Sequence, residues 1–198
     1  MSVSPGAWPP HLRPRPGNLR EIAEKLESAT GLRVQIVGGK LVMSPTPRGK
    51  HAGVVKRLRR QLERVTLPDG LDVYEVSSIA LPEDPEDYVT PDLIVLPVEW
   101  EEDDGWLAAA EDAALAVEVI SQSEKSRDIR DKADWYAVAR VPVLLVMDPR
   151  KGTWALHTHP DNGSYRDVLP GKFGEPVKLP EPFDIEVATD GFPVYGTR

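Results

Sequence analysis

The sequence lacks cysteine altogether, and this absence excludes disulfide bonds and thiol chemistry. It also lacks long apolar runs: the longest, residues 141–147, is far too short to cross a bilayer. The first residues contain no apolar core of the kind that marks a secretory signal. These three absences predict a cytoplasmic protein without a membrane segment.

Basic residues are in deficit, with 24 lysines and arginines against 32 acidic residues, which gives a net charge of −8. A surface of that sign repels nucleic acid, so binding to DNA or RNA requires a local basic patch. Residues 50–64 supply one, because they contain several lysines and arginines but a single acid, Glu63. The candidate contacts to a phosphate backbone are Lys50, Lys56, Arg57 and Arg60. A solvated helix face is the alternative interpretation.

The composition is otherwise that of an ordinary globular chain, with 40% hydrophobic and 28% charged residues. Prolines concentrate in residues 1–17, which we predict to be a disordered arm. Residues 18–190 are predicted to form one domain, and residues 191–198 a C-terminal tail. Apolar residues at helical spacing predict helices over residues 19–31, 50–65 and 122–139.

Segments with the character of β-strands lie before and between these helices. Gly38-Gly39 and Asp161-Asn162-Gly163 are typical turns of β-hairpins. Residues 71–81 are predicted to form one long strand, residues 82–87 an acidic turn and residues 89–96 the next strand. This order predicts an α/β (α+β) fold in which helices cover both faces of a central mixed β-sheet, with an additional β-hairpin region.

Two acids interrupt apolar strands, and a carboxylate in such a place is costly unless it is paired, hydrogen-bonded or bound to a metal. Asp92 follows Pro91 at the head of one strand, and Glu118 lies inside the apolar run of residues 115–120. If the two strands are neighbours, both side chains converge on one hard cation, and Mg²⁺ prefers such oxygen ligands. A turn residue at position 92 and a solvent-facing side chain at position 118 are the structural alternatives.

Lys132 lies on the inward face of the third predicted helix, together with Ile129 and Tyr136. The strand of Glu118 leads directly into this helix, so the ammonium group is within reach of the two carboxylates. There it would orient a water molecule or stabilise the charge of a pentacovalent phosphate. A lysine whose charged end extends to solvent is the alternative.

Four segments resemble the Uma2-type endonucleases, a branch of the PD-(D/E)xK, restriction-endonuclease-like superfamily: PTPRGKHAGVVKRLRRQL, VTPDLIVLP, AVEVISQSEKSRDIRDKADWYAVARVPVLLVMDP and LPEPFDI. The resemblance extends from about residue 20 to residue 187. It implies a restriction-endonuclease-like core, in which helices flank a central mixed β-sheet, and a metal-dependent nuclease site.

Within this resemblance, Asp92 corresponds to the motif aspartate and Glu118 to the motif acid. The motif lysine usually lies two residues after that acid, but this position is Ile120. Lys132 of the following helix matches the lysine instead. The resemblance further implies that Mg²⁺ or Mn²⁺ is bound by Asp92 and Glu118, with the backbone carbonyl of Val119 or Ile120 completing the metal shell.

Four further residues are auxiliary candidates. Asp128 and Tyr136 match recurrent family positions, and His51 is either a proton shuttle or a histidine at the edge of the core. Gln35 stands where relatives often carry an acid, and its amide oxygen can ligate a metal but contributes no charge.

The resemblance therefore implies metal-dependent hydrolysis of DNA, with RNA as a second substrate class. A homodimer is the arrangement that would supply two sites for double-strand cleavage. The alternative is a catalytically inactive nucleic-acid- or protein-binding module on the same scaffold, which Gln35 and the acidic net charge favour.

Overall fold

A computed structural model describes residues 19–44 and 46–196 of the chain. The predicted arm at residues 1–17 lies outside the described residues, as do the last two residues of the predicted tail. The described residues form three α-helices: α1 (Leu19–Thr30), α2 (Gly49–Leu62) and α3 (Ser126–Val138). None of these helices combines the length and the apolar character that crossing a membrane requires.

Thirteen β-strands accompany the helices in this part of the chain. In chain order they are β1 (Arg33–Ile36), β2 (Leu41–Ser44), β3 (Leu71–Tyr74), β4 (Ser78–Leu81), β5 (Asp84–Val89), β6 (Leu93–Pro97), β7 (Leu107–Ala109), β8 (Leu115–Val119), β9 (Val143–Asp148), β10 (Thr153–Asp161), β11 (Ser164–Lys172), β12 (Val177–Leu179) and β13 (Ile185–Val187). Two short 3₁₀ helices, Val98–Glu102 and Ala110–Asp112, flank β7.

The six-stranded sheet, in the order β11-β10-β9-β8-β6-β3, is the centre of the fold. Its pairs are antiparallel except β8–β9, which run parallel because α3 connects them. A five-stranded sheet has the order β2-β1-β5-β4-β7 and contains a second parallel pair, β4–β7. β12 and β13 form a separate antiparallel pair. The architecture is therefore mixed α+β, which confirms the predicted fold class, although the strands divide among three sheets.

Alternate residues of β8 face opposite layers, as the two-residue period of a β-strand requires. Val117 and Val119 pack in the apolar cluster that contains α2, whereas Ala116 and Ile120 pack in the cluster that contains α3. Burying each large apolar side chain in these layers stabilises the fold by roughly 2 kcal/mol. Glu118 has the same parity as Ala116 and Ile120, so its side chain points toward α3.

The β1–β2 hairpin forms at the predicted Gly38-Gly39 turn. Both glycines have positive φ angles, 59° and 68°, which other residues adopt only with strain. Their N–H groups donate to the carboxylate of Asp87 on β5, at 3.1 and 2.7 Å. An acid from a neighbouring strand therefore fixes this turn, and α1 packs Ala23 against the same sheet beside Ile36.

The prediction of one long strand over residues 71–81 is wrong. The chain forms β3 and then β4, and these strands belong to different sheets. The break includes Val76, whose φ angle of 62° is left-handed and whose side chain is exposed. An extended strand cannot pass through this conformation.

Other element boundaries also differ from prediction. The acidic segment predicted as a turn contains the start of β5, and the following strand begins at Leu93 rather than residue 89, since Pro91 has no N–H to donate. The third helix begins at Ser126 rather than near residue 122. Ser121 and Glu124 form a turn before it, in which the Ser121 N–H donates to Glu124 Oε2 at 3.2 Å.

Candidate functional site

A cavity of about 1040 Å³ brings together the three residues that the sequence predicted to be catalytic, because Asp92, Glu118 and Lys132 all line its wall. Asp92 precedes β6, Glu118 lies on β8 and Lys132 lies on α3. β6 and β8 are antiparallel neighbours, and their register pairs Leu93 with Val117. The Asp92 N–H donates to the Val117 carbonyl at 3.0 Å, next to Glu118. The start of β6 and the end of β8 therefore carry the two acids at the same edge of the sheet.

Protein donors hold both oxygens of the Asp92 carboxylate. The backbone N–H of Val119 donates to Oδ2 at 2.7 Å, and Nε2 of His51 lies 2.9 Å from Oδ1. β8 and α2 thus orient this side chain from two sides, which is inconsistent with a simple turn residue. A carboxylate has about four acceptor positions, so Asp92 retains capacity for a further ligand.

Glu118 is almost completely buried, with 5% of the residue's surface exposed. Lys132 Nζ donates to Oε2 at 2.9 Å, and the Tyr136 hydroxyl donates to Oε1 at 2.7 Å. Both partners come from α3, the layer toward which the alternation of β8 directs this residue. Glu118 is therefore not solvent-facing, and the charged end of Lys132 lies in the site rather than in solvent.

Burial and ion pairing act on the pKa values of the ionisable groups in the cavity wall, and for Glu118 and Lys132 they act in opposite directions. Burial raises the pKa of Glu118, and the Lys132 ammonium opposes that rise. Burial alone would lower the pKa of Lys132, but the carboxylates of Glu118 and Glu124 outweigh it and hold that pKa above its ordinary value. Burial and Glu118 together raise the pKa of Tyr136 well above normal. Lys132 is therefore a stable cation at neutral pH, and Tyr136 is a stable donor.

The donor set fits a small divalent cation. Asp92, Glu118 and Glu124 place three carboxyl groups in the cavity wall around a single buried ammonium group, that of Lys132. Mg²⁺ is satisfied by one or two carboxylates together with water and substrate oxygens. Within residues 19–44 and 46–196, no group of three or more His, Cys, Asp or Glu side chains could hold a metal alone. An ion here would need water or substrate to complete its shell.

The four auxiliary candidates occupy different positions. Gln35 lines the cavity, but its amide oxygen accepts the backbone N–H of Thr90 at 3.1 Å, so it joins β1 to the segment after β5. His51 and Tyr136 each contact one of the acids, as described above. Asp128 is half-buried in the first turn of α3 and is not among the residues that line the cavity.

The backbone carbonyl that was predicted to complete a metal shell already has a partner. Ile120 O accepts the hydroxyl of Tyr195 at 2.9 Å. Burial and the nearby Asp92 carboxylate raise the pKa of Tyr195 to about 12, so this hydroxyl stays protonated. A carbonyl oxygen has two lone pairs, so one acceptor position remains.

The predicted phosphate contacts divide into two groups. Lys50 lines the cavity, and its ammonium donates to the Val194 carbonyl at 2.7 Å. The remaining candidates are exposed on α2 and are not part of the cavity wall: Lys56, Arg57 and Arg60. Arg33 and Arg48 line the cavity instead, and Arg48 Nη1 donates to Gln122 Oε1 at 3.0 Å.

Reasoning from the sequence missed the roles of Glu124, Arg48 and Tyr195. Glu124 Oε1 lies 3.7 Å from Lys132 Nζ and is a second acid near this cation. Its place six residues after Glu118, in the loop before α3, was a usable signal, as was the place of Arg48 just before the predicted second helix. No local pattern marks Tyr195, which lies in the segment predicted to be a tail.

Comparisons with known proteins agree with this fold. The family model described as "Uma2: Putative restriction endonuclease" matches residues 20–190. A crystal structure of "a putative nuclease belonging to DUF820" from Anabaena variabilis matches with a TM-score of 0.62 at 14% identity, covering 76% of this chain and 83% of that chain. At this identity the likeness concerns the fold alone. A comparison with curated proteins gives no significant match. The family resemblance of the sequence motifs is confirmed, and the chain belongs to the Uma2 family.

Proposed function

We propose that this protein is a metal-dependent endonuclease that hydrolyses phosphodiester bonds of DNA, with Asp92, Glu118 and Lys132 as its catalytic residues. The observation that carries the proposal is that two carboxylates and a buried ammonium group, remote in sequence, line one cavity. Family membership supports chemistry of this kind. Mg²⁺ or Mn²⁺ is the proposed cofactor, since hard cations prefer carboxylate oxygens.

Asp92 and Glu118 would hold the ion, which when bound polarises a phosphoryl oxygen and activates water. Hydrolysis breaks one phosphorus–oxygen bond, adds hydroxide to phosphorus and returns a proton to the leaving oxygen. Lys132 keeps its charge, so its ammonium stabilises the negative charge that develops on the phosphate. The Val119 N–H orients Asp92, and Tyr136 orients Glu118.

Cations in the same wall support an anionic substrate. Arg33, Arg48 and Lys50 line the cavity together with the acids. Such residues supply affinity for a phosphate chain that does not depend on base sequence and that weakens as salt increases. The exposed cations on α2 are proposed to contact phosphates beyond the cleaved bond: Lys56, Arg57 and Arg60.

The test is cleavage of supercoiled plasmid, single-stranded DNA and RNA, side by side, with Mg²⁺ or Mn²⁺. Asp92→Asn keeps the size of the side chain but removes its charge, and we expect activity to fall at least about 100-fold. Asp72→Asn is the matched control, because Asp72 lies on β3 and accepts the N–H of the adjacent Val73. We expect this variant to retain wild-type activity.

The outcomes of this test are distinct. A nicked plasmid indicates action by one copy of the chain, and a linear plasmid indicates paired action by two copies. Preferred cleavage of RNA would replace DNA as the substrate. No cleavage of any substrate by the wild-type protein in either metal would overturn the proposal.

A non-catalytic nucleic-acid- or protein-binding module on the same scaffold is the second candidate. Gln35 favours it, because this residue places a neutral amide in the cavity wall and its oxygen is held by Thr90. Calorimetric titration with Mg²⁺ separates the two candidates. Heat of binding that is lost in Asp92→Asn supports the nuclease, whereas no heat in the wild-type protein supports the module.

A further inference from the structure

A short segment after β13, residues 193–196, is hydrogen-bonded to residues around the cavity. We call this segment the strap. The backbone N–H of Tyr195 donates to the Pro149 carbonyl at 2.9 Å, in the turn between β9 and β10. The Lys50 ammonium of α2 donates to the Val194 carbonyl at 2.7 Å. Tyr195 and Gly196 both line the cavity that contains Asp92 and Glu118. The strap therefore forms part of the wall of the candidate site.

The Tyr195 hydroxyl lies between the two segments that carry the acids. It donates to Ile120 O at 2.9 Å, two residues beyond Glu118. The same oxygen is 3.5 Å from Nδ1 of His51, whose Nε2 lies 2.9 Å from Asp92 Oδ1. One hydroxyl group thus contacts both the end of β8 and the ring that orients Asp92.

The direction of the bonds follows from the chemistry of the groups. A carbonyl oxygen can only accept, so the single hydroxyl proton of Tyr195 points to Ile120. The lone pairs of the hydroxyl oxygen are then left to face His51. Phenylalanine at this position would preserve the ring but leave Ile120 O without its side-chain partner.

We propose that Tyr195 is a positioning residue, whose hydroxyl sets the relative position of the segments that bear Asp92 and Glu118. The inference rests on the proposed function, in which these two carboxylates hold a divalent cation. It is independent of the family match, which ends at residue 190 and does not include Tyr195. Groups that orient metal ligands from outside the metal shell commonly change metal affinity or activity by about 10–100-fold.

The experiment compares Tyr195→Phe with Tyr165→Phe, using Mn²⁺ titration by calorimetry without substrate. Tyr165 is a matched control, because its hydroxyl also donates to a backbone carbonyl, Val141 O, at 2.8 Å. Val141 lies just before the first residue of β9, and this end of β9 is the one farther from the cavity. Both variants lose one tyrosine-to-carbonyl hydrogen bond, so a similar fall in melting temperature is expected from each.

We expect Tyr195→Phe to raise the Kd for Mn²⁺ about 10-fold and Tyr165→Phe to leave it unchanged. The second readout is the NMR signals of the His51 ring nitrogens in metal-free protein. These signals should shift in Tyr195→Phe and stay in place in Tyr165→Phe. Unchanged Mn²⁺ affinity in Tyr195→Phe would overturn the inference while the proposed function stands.

Absence of Mn²⁺ binding by the wild-type protein would count against the proposed function instead. In that case the NMR signals of the His51 ring nitrogens are the only test of the inference. A shift confined to Tyr195→Phe supports positioning of the cavity wall by Tyr195. Identical ring signals in the wild-type protein and in Tyr195→Phe overturn it.

Discussion

Two carboxylates are buried in the described part of the chain, and only one of them lies at the cavity. Glu118 is 5% exposed and Asp87 is 1% exposed. Burial raises the pKa of both. Glu118 is bound by the Lys132 ammonium and the Tyr136 hydroxyl and lines the cavity. Asp87 is not part of that wall.

The partners of Asp87 are all uncharged N–H groups. Gly38, Gly39 and the indole of Trp135 donate to it at 3.1, 2.7 and 2.7 Å. These bonds join β5 to the β1–β2 turn and to α3, so the role of this carboxylate is to stabilise the fold. The comparison teaches that burial and a raised pKa do not by themselves mark a chemical site. Glu118 differs from Asp87 because it has a charged partner, Lys132, and because it lines an open cavity.

The largest effect is expected from Lys132→Met, which leaves the buried Glu118 carboxylate beside an apolar side chain. Breaking a buried ion pair in this way costs about 3–5 kcal/mol of folding free energy at neutral pH. The double variant Glu118→Gln/Lys132→Met removes both charges, so it should recover much of this loss. Urea denaturation measures the stabilities, and both variants should lack nuclease activity.

Lys40→Met is the control for this experiment. The Lys40 ammonium lies 3.4 Å from Asp131 Oδ2, but the lysine side chain is 36% exposed. Removing an exposed pair should cost about 1 kcal/mol or less. A loss in Lys132→Met as small as that in Lys40→Met would contradict the assignment of a buried, charged pair.

Asp87→Ala should produce the opposite pattern, with lower stability but an intact site. The substitution removes the acceptor of three N–H groups, and we expect a loss of about 2–3 kcal/mol. Mn²⁺ affinity should be unchanged in the folded variant, because Asp87 does not line the cavity. Weaker Mn²⁺ binding in folded Asp87→Ala would remove the distinction between the two acids.

The sequence predicted the site around Glu118 because its signal is local. An acid interrupts an apolar strand, and the helix that follows has a lysine on its inward face. This pattern indicates that the acid and the lysine face each other where the helix packs on the strand. Pairing of β6 with β8 then brings Asp92, just before β6, to the end of β8 that carries Glu118. The family resemblance pointed to the same residues, and the family itself is confirmed. Their catalytic roles remain predictions.

Asp87 and Tyr195 could not be predicted in this way, because their partners are remote in sequence and carry no periodic signal. Asp87 lies in an acidic segment typical of a turn, and its role depends on two left-handed glycines 48 and 49 residues away. Tyr195 depends on how the strap packs against α2 and the end of β8. The break at Val76 was missed for a different reason: valine favours extended strands, so its local propensity was misleading.

The smallest expected effect is a dependence of stability on pH that belongs to Asp87. Burial raises its pKa from 3.8 to about 6, against the opposing effect of its N–H donors. Between these values the folded protein binds more protons than the unfolded chain, so stability falls as pH rises and is constant above that window. Between pH 4.5 and 7 the decrease should be about 2 kcal/mol, since one pKa unit corresponds to about 1.4 kcal/mol. Urea denaturation between pH 4.5 and 7 should show this slope in the wild-type protein and a weaker slope in Asp87→Ala. Identical slopes would mean that ionisation of Asp87 does not change the free energy of unfolding. Asp87 and Glu118 would then differ only in that Glu118 lines the cavity.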